Sequence, residues 1–226
     1  MIVLAIDTAT PAVTAGVVVL DGPDGPGPRT LAQRVTVDAR AHGELLTPHI
    51  QDALRSADLA MTDLDAVVCG AGPGPFTGLR VGMVTAAAIG DALDLPVYPV
   101  CSLDAIAAEV IEADTTAQPL LVVTDARRRE VYWAAYDGSG HRVDGPNVQR
   151  PGSLVAGPGR VAGQGGVLYA DVLGLPVVAP EFPSPRGLVA VAAAALLAKA
   201  TPDPLTPLYL RRPDAVVPGA SKKVAR

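Results

Sequence analysis

Residues 4–18 read LAIDTATPAVTAGVV, and residues 122–136 read VVTDARRREVYWAAY. In both stretches an apolar run ends at an aspartate, a short turn follows, and a second apolar run returns. Continuous apolar runs of this length are typical of buried strands. The two aspartates, Asp7 and Asp125, lie 118 residues apart, and the returning strands keep the same spacing. Strand, terminal aspartate, turn and return strand therefore recur together, which indicates a duplicated unit.

The first copy continues as an alternation of strands and helices. Its order is βββαβαβ, which predicts an α/β unit of the ribonuclease-H type with helices covering a mixed sheet. The predicted strands lie at 2–6, 12–20, 30–37, 66–70 and 96–100, and the predicted helices lie at 44–58 and 77–93. The first helix has apolar residues at helical spacing, so one of its faces is expected to be buried.

The second copy is less regular. It has predicted strands at 119–124 and 130–136, a loop-rich stretch at 138–166 and a late helix at 188–200. We therefore predict an actin-like α/β fold, a duplicated ribonuclease-H-like unit with mixed sheets flanked by helices and a degenerate second half. The predicted domains are 1–102 and a smaller one at 103–200. The Pro-rich tail, 201–226, follows the second domain and could pack against the first domain.

Composition excludes several classes of protein. Hydrophobic residues make up 49% of the chain and charged residues 18%, which is typical of a globular protein. The net charge of −5 argues against strong direct binding of nucleic acid. Two cysteines cannot form a disulfide framework, no basic leader precedes Asp7, and no apolar run is long enough for a membrane span. We expect a cytoplasmic protein without membrane contact.

The residues offer little for metal or nucleophile chemistry. The three histidines, His42, His49 and His141, include no pair at H-x-x-x-H spacing, and no G-x-S-x-G motif occurs. No catalytic residue, metal ligand or cofactor is therefore predicted.

The turns after the two aspartates correspond to the phosphate-binding turns of actin-like ATPases, which are rich in glycine. Here the first turn is Asp7-Thr8-Ala9-Thr10, and the second contains three arginines. Two interpretations remain open. Asp7, Thr8 and Thr10 form a nucleotide-binding site, or the hairpin keeps its fold and has lost its ligand.

The segment 70–78, GAGPGPFTG, lacks the Gly-Lys-Ser/Thr ending of a P-loop. It is better interpreted as a stiff turn that enters a helix with Thr77 as N-cap. Within that helix, small residues recur every four positions at Gly78, Gly82, Ala86 and Gly90. Glycine costs about 1 kcal/mol in a helix interior, so another backbone is expected to approach closely. The spacing leaves open whether that backbone is the protein's own sheet or another subunit.

The string GPGPFTGLRVG at 72–82 closely resembles the signature of the bacterial TsaB (YeaZ) family, which usually has Ser where this chain has Pro75. Four other segments agree with that family: IDTAT at 6–10, HGELLTPHI at 42–50, DARRREVY at 125–132 and LYLRRPDA at 208–215. The resemblance spans nearly the whole chain and is weakest between 138 and 187.

The resemblance implies a role in modifying tRNA. The family is related to TsaD, the enzyme that transfers a threonylcarbamoyl group to adenosine 37 of tRNA, and TsaB proteins bind TsaD and, with TsaE, form the modifying complex. The H-x-x-x-H metal ligands of TsaD correspond here to Ser102 and Ile106. Because isoleucine cannot coordinate a metal, the resemblance implies a non-catalytic scaffold subunit, a catalytically silent relative of the transferase.

The family's partner surface is a bundle of two helices, which correspond here to 44–58 and 77–93. The same surface implies a homodimer when TsaD is absent. The residues then predicted to bind the partner are Leu46, His49, Ile50, Ala53, Gly78, Val81, Gly82, Thr85, Ala86 and Ile89.

Two other functions stay open at this point. The fold and Asp7 allow an actin-like ATPase or kinase, or a metallopeptidase-like hydrolase. The basic residues of the tail allow direct contact with tRNA, although dispersed charges of this kind are more often solvated. These residues are Arg211, Arg212, Lys222, Lys223 and Arg226.

Overall fold

The computed structural model describes residues 1–23, 25–113, 116–154, 157 and 159–211. Five strands form the first sheet: β1 (Ile2–Asp7), β2 (Ala12–Val19), β3 (Arg29–Val37), β4 (Ala66–Gly70) and β5 (Val97–Val100). Their order is β3-β2-β1-β4-β5. The first three strands are an antiparallel meander, and β4 and β5 continue parallel to β1. This is the mixed sheet that the βββαβαβ order predicts.

A second, four-stranded sheet repeats the arrangement. Its strands are β6 (Leu120–Asp125), β7 (Val131–Tyr136), β8 (Arg142–Gln149) and β9 (Arg160–Ala162). Their order is β8-β7-β6-β9, with β9 parallel to β6 and the other pairs antiparallel. β6 has the same length as β1 and also ends at an aspartate. The duplicated fold is confirmed. The loop-rich prediction for 138–166 is wrong at β8 and β9, because an exposed strand with Gly and Pro and a three-residue strand carry no clear alternation.

Within the described residues, six α-helices accompany the sheets. They are α1 (His42–Ser56), α2 (Phe76–Leu93), α3 (Ser102–Ala113), α4 (Gln164–Leu168), α5 (Ala170–Leu173) and α6 (Pro185–Leu197). The prediction of Thr77 as N-cap is wrong, since Pro75 occupies that position and gives no side-chain hydrogen bond. The backbone of Pro75 is extended, and its ring is compatible with the entry to a helix.

The helices cover the first sheet on both faces. On one face, Leu46 and Ile50 of α1 and Leu79 of α2 pack with Leu4 and Ile6 of β1. On the other face, buried residues of α6, including Leu188 and Leu196, pack with residues of β1, β2 and β4. The division at residue 102 stays a prediction, although α6, which lies within the predicted second domain, packs on the first sheet. Hydrophobic periodicity marks a buried helix face without saying which sheet it meets.

The described part of the tail runs back to the first sheet. The backbone N–H of Leu208 donates to the carbonyl of Ala71 (2.8 Å), and Leu205 packs on the core under α1 and α2. Arg211 donates to the carbonyl of Ala126 (3.2 Å) and pairs with Glu130. The other basic tail residues, Arg212, Lys222, Lys223 and Arg226, lie outside the described residues.

Candidate functional site

The carboxylate of Asp7 is enclosed at the end of β1, with 0% of the residue exposed. Its Oδ1 accepts from the N–H of Ala9 (2.9 Å), and its Oδ2 accepts from the hydroxyl of Ser102 (2.5 Å), the first residue of α3. Gly70 leaves the room for this carboxylate, since a Cβ there would lie 1.8 Å from Oδ2 of Asp7. Asp7 thus joins the first sheet to α3.

The hydroxyl of Thr8 is inserted into the backbone of α2. It donates to the carbonyl of Gly78 (2.7 Å) and accepts from the N–H of Gly82 (2.9 Å). An uninterrupted helix pairs these two groups directly, because they are four residues apart. Thr8 therefore bridges the helical ladder at this turn and fastens α2 to the first hairpin.

The nucleotide-binding role of Asp7, Thr8 and Thr10 stays a prediction; Thr8 and Thr10 line the cleft between the two hairpins, but the polar groups of all three side chains are used in internal contacts. All three side chains are buried, and Thr10 accepts from the N–H of Ala12 (3.2 Å) within its own turn. Asp and Thr side chains can bind a phosphate group, but they can equally accept hydrogen bonds from backbone N–H groups of their own turn. Only the tertiary contacts distinguish the two.

Burial raises the pKa of Asp7 from its ordinary 3.8 to about 6, against the opposing effect of the hydrogen bonds from Ser102 and Ala9. The folded state therefore holds this proton more tightly than the unfolded state does. Stability that is fully present below about pH 4 is lost as the pH rises through about 6, by about 3 kcal/mol in total.

We expect Asp7→Asn to remove this loss, because a neutral amide bears no charge to desolvate. The variant should be more stable than the wild type at pH 7, and the difference should vanish near pH 4. Urea unfolding across this pH range measures it. Asp125→Asn, at the equivalent but partly exposed position of the second hairpin, is the matched control. A constant difference between Asp7→Asn and the wild type at all pH values would contradict the expectation.

The turn after Asp125 does not form a phosphate cradle. Arg127, Arg128 and Arg129 are exposed and have φ angles of 60, 53 and 62°. Left-handed backbone costs roughly 1–2 kcal/mol for each non-glycine residue, so this turn is strained. It faces the first hairpin across a cleft of about 360 Å³, whose wall includes Arg127 and Arg40. Bulky side chains occupy the position where glycine would let backbone N–H groups approach a phosphate.

The small-residue stripe of α2 packs against its own domain. A Cβ on Gly78 would lie 2.9 Å from the carbonyl oxygen of Thr8, and one on Gly82 would lie 2.5 Å from its hydroxyl. A Cβ on Gly90 would lie 2.4 Å from Cγ2 of Val97. The choice that the sequence leaves open is therefore decided, since the approaching groups are the first hairpin and the start of β5.

The partner-binding role of the predicted set stays a prediction, and the structure describes how exposed each of its members is. Most of its members are buried in the free chain, although Ile50 still lines the groove between α1 and α2. The buried members are Leu46, His49, Ile50, Ala53, Gly78, Gly82 and Ala86. Its remaining members are partly exposed: Val81, Thr85 and Ile89. Helical periodicity selects the apolar face, and in α1 and α2 that face is the one turned toward the sheet.

Sequence reasoning missed the most exposed residues of the outer face of α2. Only six of its 18 residues are buried, and the solvent side is also apolar, with Val84 66% exposed. Beside it lies a groove of about 460 Å³ between α1 and α2. Its walls include three of the predicted partner-binding residues, Ile50, Thr85 and Ile89, together with Met61, Val84, Ala88, Ala92 and Leu93. The sequence feature that could have revealed this face is the length of the apolar stretch. By length and composition α2 could cross a membrane, and core helices of soluble proteins share this property.

An aromatic cluster stands at the start of this outer face. Phe76 is 48% exposed and stacks on Tyr209 of the returning tail, with 5.0 Å between ring centroids. The guanidinium of Arg80 lies 3.6 Å above the Phe76 ring, and its Nε donates to the hydroxyl of Tyr209 (2.9 Å). Aromatic and arginine side chains are enriched among residues that dominate protein–protein binding.

The two residues that correspond to the metal ligands of the related transferase, Ser102 and Ile106, both make internal contacts. Ser102 is bonded to Asp7, and Ile106 is fully buried in the core beneath α3. Among the described residues, no three His, Cys, Asp or Glu side chains are grouped closely enough to hold a metal ion. Burial raises the pKa of the Cys69 thiol far above its usual range and that of Cys101 to about 12, which disfavours both as nucleophiles.

Fold and site together define an actin-like α/β protein with two ribonuclease-H-like sheets and a first hairpin committed to internal contacts. Residues 30–176 match the family model described as "TsaD: tRNA N6-adenosine threonylcarbamoyltransferase". The chain belongs to the TsaB (YeaZ) family, within this wider group of TsaD-like proteins. This confirms the resemblance carried by the 72–82 motif.

Three relatives illustrate the match. An uncharacterised protein of Mycobacterium tuberculosis is 56% identical over 213 residues, covering 94% of this chain and 93% of that protein. The tRNA threonylcarbamoyladenosine biosynthesis protein TsaB of Escherichia coli is 34% identical over 136 residues. That match covers 60% of this chain and spans about half (55%) of the relative's length. The solved structure of YeaZ from Pseudomonas aeruginosa is 27% identical with a TM-score of 0.75, covering 92% of this chain and 99% of that one.

Proposed function

We propose that this chain is a non-catalytic subunit of the machinery that forms threonylcarbamoyladenosine on tRNA. In this role it binds a TsaD-like catalytic subunit through the outer face of α2 and the adjoining α1–α2 groove. A TsaE-like ATPase joins through the TsaD-like subunit. The observation that carries the proposal is the exposed apolar outer face of α2, with Val84 at its middle. Apolar patches of this kind mark protein interaction sites.

The geometry of the face suits a helical partner. Phe76, Arg80, Val84 and Ala88 follow one another at four-residue spacing, so they form one stripe along α2. A partner helix laid along this stripe would cover Val84 and Ala88 and meet Phe76 and Arg80 at its end. With the TsaD-like partner absent, a second copy of the chain has the same complementary surface, and we propose a homodimer through it.

Two observations support the non-catalytic part of the proposal. The positions of Ser102 and Ile106 serve the internal structure, and Asp7 is enclosed by Ala9, Ser102 and Gly70. The alternative functions, an ATPase or kinase or a metallopeptidase-like hydrolase, have no comparable observation in their favour among the described residues.

Co-expression with the cognate TsaD-like protein tests the proposal. We expect the two proteins to co-purify, and titration calorimetry should give a dissociation constant in the micromolar range or below. The TsaE-like ATPase alone should not bind this chain and is the control. Absence of association at tens of micromolar would overturn the proposed partner.

A further inference from the structure

The aromatic cluster at the start of α2 holds the side chain of Arg80 in one orientation. Its guanidinium carbon lies 3.6 Å from the centroid of the Phe76 ring and 5.9 Å from that of the Tyr209 ring. The two rings are stacked with an angle of 27° between their planes, and Nε of Arg80 donates to the hydroxyl of Tyr209 (2.9 Å). An unrestrained arginine samples many rotamers, and fixing one of them opposes binding. Here the side chain is already fixed before any partner binds.

The returning tail fixes the tyrosine that holds Arg80. Leu208 and Leu210, on either side of Tyr209, pack on the core of the second sheet. The backbone N–H of Leu208 also donates to the carbonyl of Ala71 (2.8 Å), which follows β4 of the first sheet. The tail is therefore anchored on both sides of Tyr209, and its ring stays against α2. The orientation of Arg80 thus depends on contacts that α2 alone does not supply.

The positive charge of Arg80 is not matched by a carboxylate in the described part of the chain. Arg80 is exposed, and its bond to Tyr209 uses the Nε–H only, so the donors on Nη1 and Nη2 remain. Several other arginines do pair with an Asp or Glu of the chain, among them Arg55, Arg142 and Arg211. Arg80 therefore has unused donors and an unpaired charge beside the apolar outer face of α2.

The remaining donors of Arg80 favour a carboxylate as their acceptor. Nη1 and Nη2 form a planar fork that matches the two oxygens of a carboxylate, and such charge-assisted hydrogen bonds are stronger than neutral ones. The fork also matches a phosphate, but Arg80 lies one helical turn before Val84 in the apolar stripe of α2. A nucleic-acid backbone would leave that apolar surface uncovered, whereas a protein segment that carries an Asp or Glu would cover it. The position of Arg80 therefore favours a protein carboxylate.

We propose that Phe76, Arg80 and Tyr209 form a site that receives an Asp or Glu side chain of the TsaD-like partner. The carboxylate accepts hydrogen bonds from Nη1 and Nη2 of Arg80, and the apolar part of the same partner segment covers the outer face of α2. This inference rests on the proposed function. It adds that docking requires the returning tail as well as α2, because Tyr209 positions Arg80.

Titration calorimetry of the full chain with the TsaD-like partner tests the proposal. Arg80→Gln, which removes the charge, should weaken binding roughly 30-fold, and Arg80→Lys, which keeps the charge without the fork, roughly tenfold. Arg150→Gln removes an exposed arginine that follows β8 and should bind as the wild type does. The loss caused by Arg80→Gln should shrink at high salt, because salt screens the charge pair. Thermal unfolding shows whether each variant is folded.

The outcomes separate this inference from the proposed function. Binding by the wild type with equal binding by a folded Arg80→Gln would overturn the carboxylate site and leave the proposed partner standing. Absence of binding by the wild type would overturn both. Should Arg80→Gln fail to fold, Arg80→Lys decides the question, since equal binding by that variant would exclude recognition by the fork.

Variants of Tyr209 check the role of the tail. Tyr209→Ala removes both the stacked ring and the acceptor for Nε, and it should weaken partner binding roughly tenfold. Tyr209→Ala combined with Arg80→Gln should bind no more weakly than Arg80→Gln alone, because both changes act through the same contact. Losses that add in the double variant would contradict the positioning role of Tyr209.

Two further measurements exclude other occupants of the site. Sedimentation of the chain alone shows whether Arg80→Gln changes self-association, and filter binding shows whether it changes the affinity of the assembled complex for tRNA. An effect on self-association alone would assign the carboxylate to a second copy of the chain. An effect on tRNA alone would assign the anion to a phosphate. Either result would overturn the proposed partner carboxylate.

Discussion

Val84→Arg is expected to weaken binding of the TsaD-like partner by roughly 100-fold, or about 3 kcal/mol, and to leave the stability of the chain unchanged. Val84 is 66% exposed at the middle of the outer face of α2, so the arginine has space in the free protein. In the complex, the same side chain would bury a charge without a partner against an apolar surface. Titration calorimetry measures the binding, and thermal unfolding measures the stability.

The chain offers a closely matched control for this experiment. Val143 is 65% exposed and lies on β8, an edge strand of the second sheet. α2 packs on the first sheet instead. Val143→Arg introduces the same side chain at the same exposure and should bind the partner as the wild type does. Equal binding by both variants would exclude the outer face of α2 as the docking surface. Equal loss in both would indicate a general effect of charge and would contradict the expectation as well.

Gly82→Ala is expected to destabilise the chain by about 3 kcal/mol. The added Cβ would lie 2.5 Å from the hydroxyl of Thr8, so Thr8 must move and lose its bonds to Gly78 and Gly82. Overpacking costs about 1–3 kcal/mol and two lost hydrogen bonds add about 1 kcal/mol each, while the better helix propensity of alanine returns about 1 kcal/mol. Denaturant unfolding with an unchanged slope measures the difference.

Gly43→Ala is the control for this second experiment. Gly43 lies in the first turn of α1, and a Cβ there would have nothing within 4 Å. The substitution should therefore stabilise the chain by about 0.5–1 kcal/mol through the lower entropy of its unfolded state. If Gly82→Ala were as stable as the wild type and yet lost the partner, the stripe would face the partner and its internal assignment would be wrong.

Much of the fold was predictable because its signals are local. The two β-hairpins are marked by apolar runs that end at Asp7 and Asp125, and the predicted α1 and α2 differ from the structure by at most two residues at either end. α3 was missed, since its segment was interpreted only through the positions of Ser102 and Ile106. β8 and β9 were missed because they are exposed or short.

The candidate site was less predictable because the same residue types suit both contact with a ligand or partner and contact within the chain. Thr8 has the right chemistry to bind a phosphate, but its hydroxyl is used between Gly78 and Gly82. Leu46 and Ile50 have the right pattern for a helix interface, but they pack on β1. In each case the residue type indicates that a contact is made, and the partner in that contact is about 40 to 70 residues away in the chain.

The sequence by itself determined that the chain contains two related α/β units, that it belongs with the TsaB family, and that some backbone must approach Gly78 and Gly82 closely. Only the tertiary structure decided that the approaching group is Thr8, that α6 covers the first sheet, and that the solvent side of α2 is apolar and exposed. The physical reason is that periodicity and composition report how much of an element is buried. They do not report what it is buried against, which depends on contacts between residues distant in sequence.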